Sequence, residues 1–296
     1  MATTFSPVLF SAETVKTFDR DTVFMAYADR SFDRSTKIKS TGDSIHVQTA
    51  PSYTFTATAI TSPGATTYQT GTGPGGAITP TASVFTGEKL IINKYLEFLT
   101  PITEFEATQS NLPLETICGQ RFGVAYQQLM DDQFRDQILV TDIATIPAGN
   151  KLYSGAPKAD VSKTTIFGYI EEMRVQYVNA TGSSAAGAVL FLCPKHFSAL
   201  LQSGIMDNSD MGLAGRKTGR IGSISGLTIV ETTGLTASFE MILMGMNTVN
   251  FVEQLVKTKT ADATNGFFMN LMTTCVWGGK IFAERAKGIV IFYATA

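Results

Sequence analysis

Hydrophobic and polar positions follow different periods in different parts of the chain. From Ser44 to Ala59 polar residues alternate with apolar or β-branched ones, the period-2 pattern of a strand, and the pattern returns from Thr81 to Tyr95. The segment between them, from Ser62 to Pro80, is rich in Gly, Pro and Thr, which are turn and loop formers. The pattern therefore predicts a long β-hairpin with a glycine-rich tip.

After Pro101 the apolar residues fall three or four positions apart, which predicts an amphipathic helix over about residues 112–139. Ser110 or Asn111 can cap it, and Pro113 suits its first turn. At 1.5 Å per residue such a helix is roughly 40 Å long. A rod of this length is unusual in a compact enzyme domain.

The remaining chain alternates strands, helices and polar loops without an internal repeat. The expected elements are an extended arm over 5–35 with a short helix near 12–28, irregular structure over 140–160, a helix capped by Ser162, a strand over 188–193, a short helix from Pro194, a strand over 221–230 with Gly222 and Gly226 as bulge or turn points, a strand over 241–246, a short helix near 249–256, and strands over 269–284 and 288–293. The mixture predicts an α+β fold.

Charge is scarce and unevenly distributed. Only 16% of the 296 residues are charged, against roughly 25% in an ordinary soluble domain. Ser44 to Gly87 contains no acidic or basic residue. The net charge of −2 excludes a polycationic protein that coats nucleic acid by neutralising phosphates. A chargeless hairpin is poorly solvated when exposed, so we expect other protein surface to cover it.

Two glycine-rich segments resemble nucleotide-binding loops only in part. Gly71 to Gly76 has the glycine spacing of a dinucleotide-binding loop, but a strand follows it where that loop requires a helix. Gly215 to Gly219 lacks the first glycine of a phosphate-binding loop, and Arg216 occupies the position of its lysine. We interpret the first segment as a hairpin tip and the second as a basic surface loop, and we expect no cofactor.

Candidate catalytic groups are few. The chain has two histidines, His46 and His196, and Cys193 lies three residues before His196, so a thiolate–imidazole pair is the alternative to a buried cysteine and a capping or interface histidine. Three acidic pairs are expected to be solvated or to form salt bridges, and four aromatic residues are expected to pack in the core. The pairs are Asp131–Asp132, Glu104–Glu106 and Glu171–Glu172, and the aromatic residues are Phe267, Phe268, Trp277 and Phe282. We therefore predict neither an enzyme nor a metal site.

The order of these parts resembles a known architecture. An arm, a long chargeless hairpin and a rod helix opening with Leu112-Pro-Leu-Glu precede an α/β region that contains Val189-Leu-Phe-Leu-Cys-Pro-Lys-His-Phe197 and Gly219-Arg-Ile-Gly-Ser-Ile-Ser-Gly-Leu-Thr-Ile-Val230. The chain resembles the major capsid proteins of tailed bacteriophages. The resemblance implies an N-terminal arm (1–35), an extended loop (36–100), a peripheral domain (101–164) with a spine helix near 112–139, an axial domain (165–246) and strands returning to the peripheral domain (247–296).

The resemblance also implies a function. Such a protein self-assembles through hexamers and pentamers into an icosahedral head shell around double-stranded DNA, which it contacts weakly. The implied location is the virion, after assembly in the bacterial cytoplasm and without membrane contact, and the implied partners are a separate scaffolding protein, a portal and decoration proteins. Residues expected at subunit interfaces lie in the hairpin and in or next to a polar loop of the axial domain over about 204–219: Tyr53, Phe55, Tyr68, Phe85, Arg216, Lys217 and Arg220.

Three alternatives remain open at this point. An encapsulin-like compartment shell shares the same fold and encloses enzymes instead of a genome. A soluble α/β enzyme would use the glycine loop at 71–76 to bind a nucleotide. A phage tail-tube protein would form stacked rings, but the long rod helix argues against it because tube subunits are mainly β.

Overall fold

The computed structural model describes residues 22–31, 44–49, 86–103, 114–155, 160–203, 222–235, 241–262 and 268–293, and over these the fold is α+β. The helices are α1 (Leu114–Asp136), α2 (Ile166–Thr181) and α3 (Pro194–Gln202). The strands are β1 (Ser44–Thr49), β2 (Thr86–Ile91), β3 (Lys94–Thr103), β4 (Lys151–Leu152), β5 (Val189–Leu192), β6 (Ser223–Ile224), β7 (Leu227–Glu231), β8 (Met241–Met244), β9 (Asn250–Asp262), β10 (Phe268–Lys280) and β11 (Ile289–Phe292).

The chain divides into two compact units, Ser44–Leu90 and the remainder. In the smaller unit β1 pairs with β2 in a two-stranded sheet, and each strand falls within a strand predicted from the alternating pattern. The second predicted strand, over 81–95, is interrupted: β2 ends at Ile91 and β3 begins at Lys94. Residues 50–85, which include the predicted hairpin tip, lie outside the described residues.

In the larger unit a three-stranded antiparallel sheet has the order β3-β10-β9. Helix α1 packs on one face of this sheet, where the rings of Phe98 and Phe122 are 4.5 Å apart. Further along, Phe134 and Ile138 are fully buried four residues apart, on the face that the apolar spacing predicts. The long helix predicted near 112–139 is thus confirmed as α1, and a π-helical turn over Gln137–Thr141 follows it.

A six-stranded mixed sheet, in the order β4-β11-β8-β5-β7-β6, is covered on both faces. Along β5, Leu190 and Leu192 face the core formed with α2 and α3, while Val189 and Phe191 face a second core formed with α1. Trp277, of the three-stranded sheet, belongs to this second core. Both Trp277 and Phe282 are buried, which confirms their predicted core role, whereas Phe267 lies outside the described residues.

Helix ends follow local rules with one correction. Helix α3 begins at Pro194 as predicted, and α2 ends at Gly182, whose φ of +67° suits glycine and whose N–H donates to the Val178 carbonyl at 2.8 Å. The prediction that Ser162 caps α2 is wrong, because Thr165 occupies the cap position and its side chain makes no capping bond. Ser162 instead forms the preceding turn, where its carbonyl accepts the Ile166 N–H at 3.0 Å.

Two predictions in the second half need correction. Residues 249–256 do not form a short helix: β9 runs from Asn250 to Asp262. The apolar residues Val249, Val252 and Val256 are spaced as on a helix, but pairing along β10 prevails over this local pattern. The strand predicted over 221–230 is divided into the hairpin of β6 and β7. Its turn is at Ser225 and Gly226, with φ of +51° and +82°, which confirms Gly226 as a predicted turn point.

Residues 140–160 are irregular as predicted, with short 3-10 turns and the two-residue strand β4 wherever the structure describes them. In residues 22–31 the helical structure is one 3-10 turn, Met25–Tyr27, so the helix predicted near 12–28 is wrong at residues 22–24 and 28, which are not helical. Its residues 12–21 lie outside the described residues. Within the described part of the chain, no helix is both long enough and apolar enough to span a bilayer.

Candidate functional site

The Cys193–His196 pair does not have the chemistry of a reactive thiolate. His196 lies in the first turn of α3 and is only 1% exposed. Burial, aided by the nearby charge of Lys195, lowers the pKa of His196 from 6.5 to about 4, so the imidazole is neutral near pH 7. A neutral imidazole provides no positive charge to stabilise a thiolate. Across the described residues, His, Cys, Asp and Glu side chains form no metal-binding group of three.

One residue in each of two acidic pairs forms a predicted salt bridge, whereas Asp131 is buried. Asp132 pairs with Arg135 at 2.9 Å and Glu171 pairs with Arg174 at 2.7 Å. Asp131 is 1% exposed, and its Oδ1 accepts the backbone N–H groups of Phe24 and Met25 at 2.7 and 3.0 Å. The prediction of a solvated Asp131 is therefore wrong, because this buried carboxylate accepts hydrogen bonds from the backbone of the N-terminal region. Glu104 and Glu106 lie outside the described residues.

A second polar cluster surrounds Asp29, which is 8% exposed. Its Oδ2 binds the Arg285 guanidinium at 2.5 Å, and its Oδ1 accepts the Ser31 N–H at 3.0 Å. Arg285 also donates to Asn250 Oδ1 at 3.0 Å and to the Asn247 carbonyl at 2.8 Å. Burial by itself raises the pKa of Asp29, but the hydrogen bonds from Arg285 and Ser31 outweigh it and hold the pKa below 3.8.

A shallow pocket of about 290 Å³ lies between these two clusters. One wall is residues 22–30 and the other is α1 with the start of β9. Arg30 and Glu253 form an ion pair at 2.6 Å across it, and the Tyr126 hydroxyl lies 3.5 Å from Glu253 Oε2. Burial and then the Glu253 charge raise the pKa of Tyr126, so its hydroxyl stays protonated and acts as a donor.

Strand β3 exposes an apolar row on its outer face. Tyr95 and Leu99 are 48% and 56% exposed, and Glu97, between them, accepts a hydrogen bond from the Tyr95 hydroxyl. Leu96 and Phe98, of the opposite parity, turn toward α1. Large apolar side chains in a row on a strand are candidates for contact with another protein surface. The other exposed large apolar residues in the described part of the chain are Ile91, Val140, Tyr153, Val175 and Met246.

The residues that the sequence predicted at subunit interfaces, Tyr53, Phe55, Tyr68, Phe85, Arg216, Lys217 and Arg220, all lie outside the described residues. The two glycine-rich loops, 71–76 and 215–219, also lie outside them. Sequence reasoning missed Tyr95 and Leu99. Both parities of β3 carry large apolar residues, so alternation alone cannot identify the outer face. The sequence offered one signal: the charged residue Glu97 alternates with Tyr95 and Leu99 and therefore lies on the same face of the strand, which indicates that this face is the solvent-exposed one.

Comparison with solved structures identifies the fold. A structure titled Mycobacterium phage Che8 matches with a TM-score of 0.73 and 18% identity over 97% of each chain. The capsid structure of cyanophage P-SCSP1u matches with a TM-score of 0.74 and 14% identity over 97% of this chain and 92% of that one. The mature capsid of bacteriophage PhiM1 matches with a TM-score of 0.69 and 13% identity over 98% and 92%. No protein-family model and no curated protein matches this sequence. The chain has the fold of these phage capsid structures, as the resemblance implied.

Proposed function

We propose that this chain is the structural major capsid protein of a tailed bacteriophage and self-assembles into the icosahedral head shell that encloses double-stranded DNA. The observation that carries the proposal is the match to phage capsid structures over almost the whole of both chains. A match of this extent leaves little of this chain for an additional catalytic domain. The proposed role is therefore structural and not enzymatic.

The surface chemistry supports assembly. Ser44–Gly87 carries no charge, and the outer face of β3 exposes Tyr95 and Leu99. Covering such surfaces with further copies removes apolar area from water, at about 25 cal/mol for each Å² buried. Identical chains that meet head to tail form closed rings, here hexamers and pentamers. These rings in turn join into a closed shell.

We assign the parts of the chain accordingly. Residues 1–35 form the N-terminal arm, 36–100 the extended loop, 101–164 the peripheral domain with α1 as its spine helix, 165–246 the axial domain and 247–296 the returning strands. In this assignment Tyr53, Phe55, Tyr68 and Phe85 contact a neighbouring subunit through the extended loop. Arg216, Lys217 and Arg220 contact neighbours near the capsomer centre.

The proposed partners follow from the same role. They are further copies of the chain, a separate scaffolding protein, a portal and decoration proteins, with weak contacts to the packaged DNA because the net charge is only −2. The subunit is proposed to be made and assembled in the host cytoplasm and to remain in the virion, without a cofactor.

Electron microscopy of purified full-length chain, expressed alone and with a candidate scaffolding protein, tests the proposal. We expect closed shells or free capsomers. Shells from infected cells should contain double-stranded DNA, whereas protein cargo without a genome would identify a compartment shell. A chain that stays monomeric under every assembly condition and binds a nucleotide tightly would contradict the proposal in favour of an enzyme.

A further inference from the structure

Residues 22–31, which we call the strap, pack on the six-stranded sheet through aromatic contacts. Phe24 is 1% exposed, and its ring lies 4.6 Å from that of Phe191 on β5. The Tyr27 ring meets the same Phe191 edge-on at 5.6 Å. The middle of the strap is thus fixed against the sheet face that α1 also covers.

The end of the strap joins the start of β9 in the three-stranded sheet. The Asp29 N–H donates to the Val249 carbonyl at 2.9 Å, and the Phe251 N–H donates to the Asp29 carbonyl at 3.2 Å. The Asp29 side chain adds the ion pair with Arg285, which follows β10. The strap therefore contacts both sheets of the larger unit.

The beginning of the strap is held by α1. Asp131 accepts the N–H groups of Phe24 and Met25, so a single buried carboxylate fixes two successive peptide groups. Hydrogen bonds to a charged acceptor are stronger than neutral ones. The 290 Å³ pocket lies along one side of the strap, and the strap is attached both near its beginning and near its end.

We propose that the strap is a conformational lock that holds the three-stranded and six-stranded sheets in one relative orientation. With both ends attached, Phe24 and Asp29 tie the sheets together through Phe191 and through the start of β9. With both ends released, the second core still joins the two sheets, but the orientation of one sheet relative to the other is less restricted. The lock itself concerns the free subunit, and its consequence for shell curvature rests on the proposed function.

The test measures the separation of the sheets directly in the full-length subunit. Spin labels on Leu99→Cys of β3 and Val175→Cys of α2, which packs on the six-stranded sheet, use exposed positions outside the strap. The three native cysteines, Cys118, Cys193 and Cys275, are replaced by alanine. The unlocked variant combines Asp29→Asn with Asp131→Ala. Asp132→Ala on the same helix is the matched control, because Asp132 forms its ion pair with Arg135 of α1.

We expect the unlocked variant to exchange the Phe24 and Met25 amide hydrogens about tenfold faster or more, and to broaden the distance distribution between the labels. The control should keep the slow exchange and the narrow distribution of the parent. Two results for the unlocked variant would overturn the lock. One is rapid amide exchange at Phe24 and Met25 with the same label distance distribution as the parent, and the other is amide exchange as slow as in the parent. If the double variant does not fold, each single variant is measured in the same way, with the same outcomes.

Shell diameter tests the consequence separately. If the parent assembles, we expect the unlocked variant to give shells of mixed diameter, whereas the Asp132→Ala control gives the uniform shells of the parent. Uniform shells from an unlocked variant whose distance distribution has broadened would show that the lock does not set curvature. A parent that forms no shells, combined with the expected distance result, would count against the proposed function and leave the lock in place.

Discussion

Gly278 lies where β10 passes the chain between β2 and β3. A Cβ at this position would overlap the Ile91 carbonyl oxygen and lie 3.0 Å from the Ile92 Cα, and both are backbone atoms that a rotamer change cannot move. Glycine at this point allows the close approach of two backbone segments. Gly123, in α1, is different, since nothing lies within 4 Å of a Cβ built there.

Alanine substitutions at these two glycines should have opposite effects on stability. We expect Gly278→Ala to lower the free energy of unfolding by about 1–3 kcal/mol, because β10 and the backbone at Ile91 and Ile92 must move apart to make room for the methyl group. Gly123→Ala should raise it by about 0.5–1 kcal/mol, since alanine is the better helix former. Urea unfolding of the two variants checks both signs, and equal effects would contradict the close approach at β10.

His196 should make stability depend on pH. Its pKa is about 4 in the folded chain and 6.5 when unfolded, so between these values the unfolded state binds the proton and the folded state does not. Stability therefore falls as pH drops from 6.5 to 4, by about 2–3 kcal/mol in total. We expect His196→Gln to flatten this dependence in urea unfolding at pH 7 and pH 4.5.

The other histidine provides the control. His46→Gln removes the chain's second imidazole and should leave the pH dependence between 6.5 and 4 as in the parent. If the His46 variant flattens the dependence and the His196 variant does not, the pH effect does not arise from the buried imidazole of α3.

At the scale of elements, the sequence pattern predicted the helices whose ends and faces depend on residues close together in the chain. Helix α1 and the start of α3 follow from apolar spacing and from Pro194, which act within a few residues. The helix predicted over 249–256 is instead the first part of β9, because the pairing of β9 with the distant strand β10 cannot be inferred from the apolar spacing of residues 249–256. The burial of Asp131 was missed for the same reason, since its backbone partners lie more than 100 residues earlier in the chain.

The two faces of α1 should respond differently to truncation. Phe134→Ala removes a fully buried ring from the second core, and we expect a loss of about 3–5 kcal/mol in the free energy of unfolding. Gln120→Ala, on the exposed side of the same helix, should change it by less than about 0.5 kcal/mol. Chemical denaturation followed by circular dichroism measures both. A loss of similar size at Gln120 would contradict the assignment of the buried face.

At the scale of the whole molecule, the mixture of helix and strand patterns predicted the α+β class, and the resemblance predicted the capsid fold. The α+β fold matches phage capsid structures over nearly the full length. The residues predicted at interfaces lie outside the described residues, so their role stays a prediction. An interface between copies leaves no periodic signal within one chain. The exposed row on β3 became visible only when pairing with β10 fixed which parity faces α1.

Deletion of residues 63–78 tests the role of the chargeless hairpin. Because this segment lies within the smaller compact unit, we expect the larger unit to keep its thermal stability and circular dichroism spectrum. Shell formation should be lost, as judged by electron microscopy, because the surface proposed to cover a neighbour is missing. Normal shells from the deletion variant would contradict that role, and loss of folding would show that the tip stabilises the subunit itself.

The pairing of distant strands also determines when the subunit can fold during synthesis. Among the described strands, β3 pairs with β10, and β4 pairs with β11, which ends at Phe292. A chain still emerging from the ribosome therefore has α1 and β3 without the strands that complete their sheets. Such non-local pairing slows folding. The complete fold forms only once β10 and β11 have been made, so a chain that ends before them has neither sheet complete.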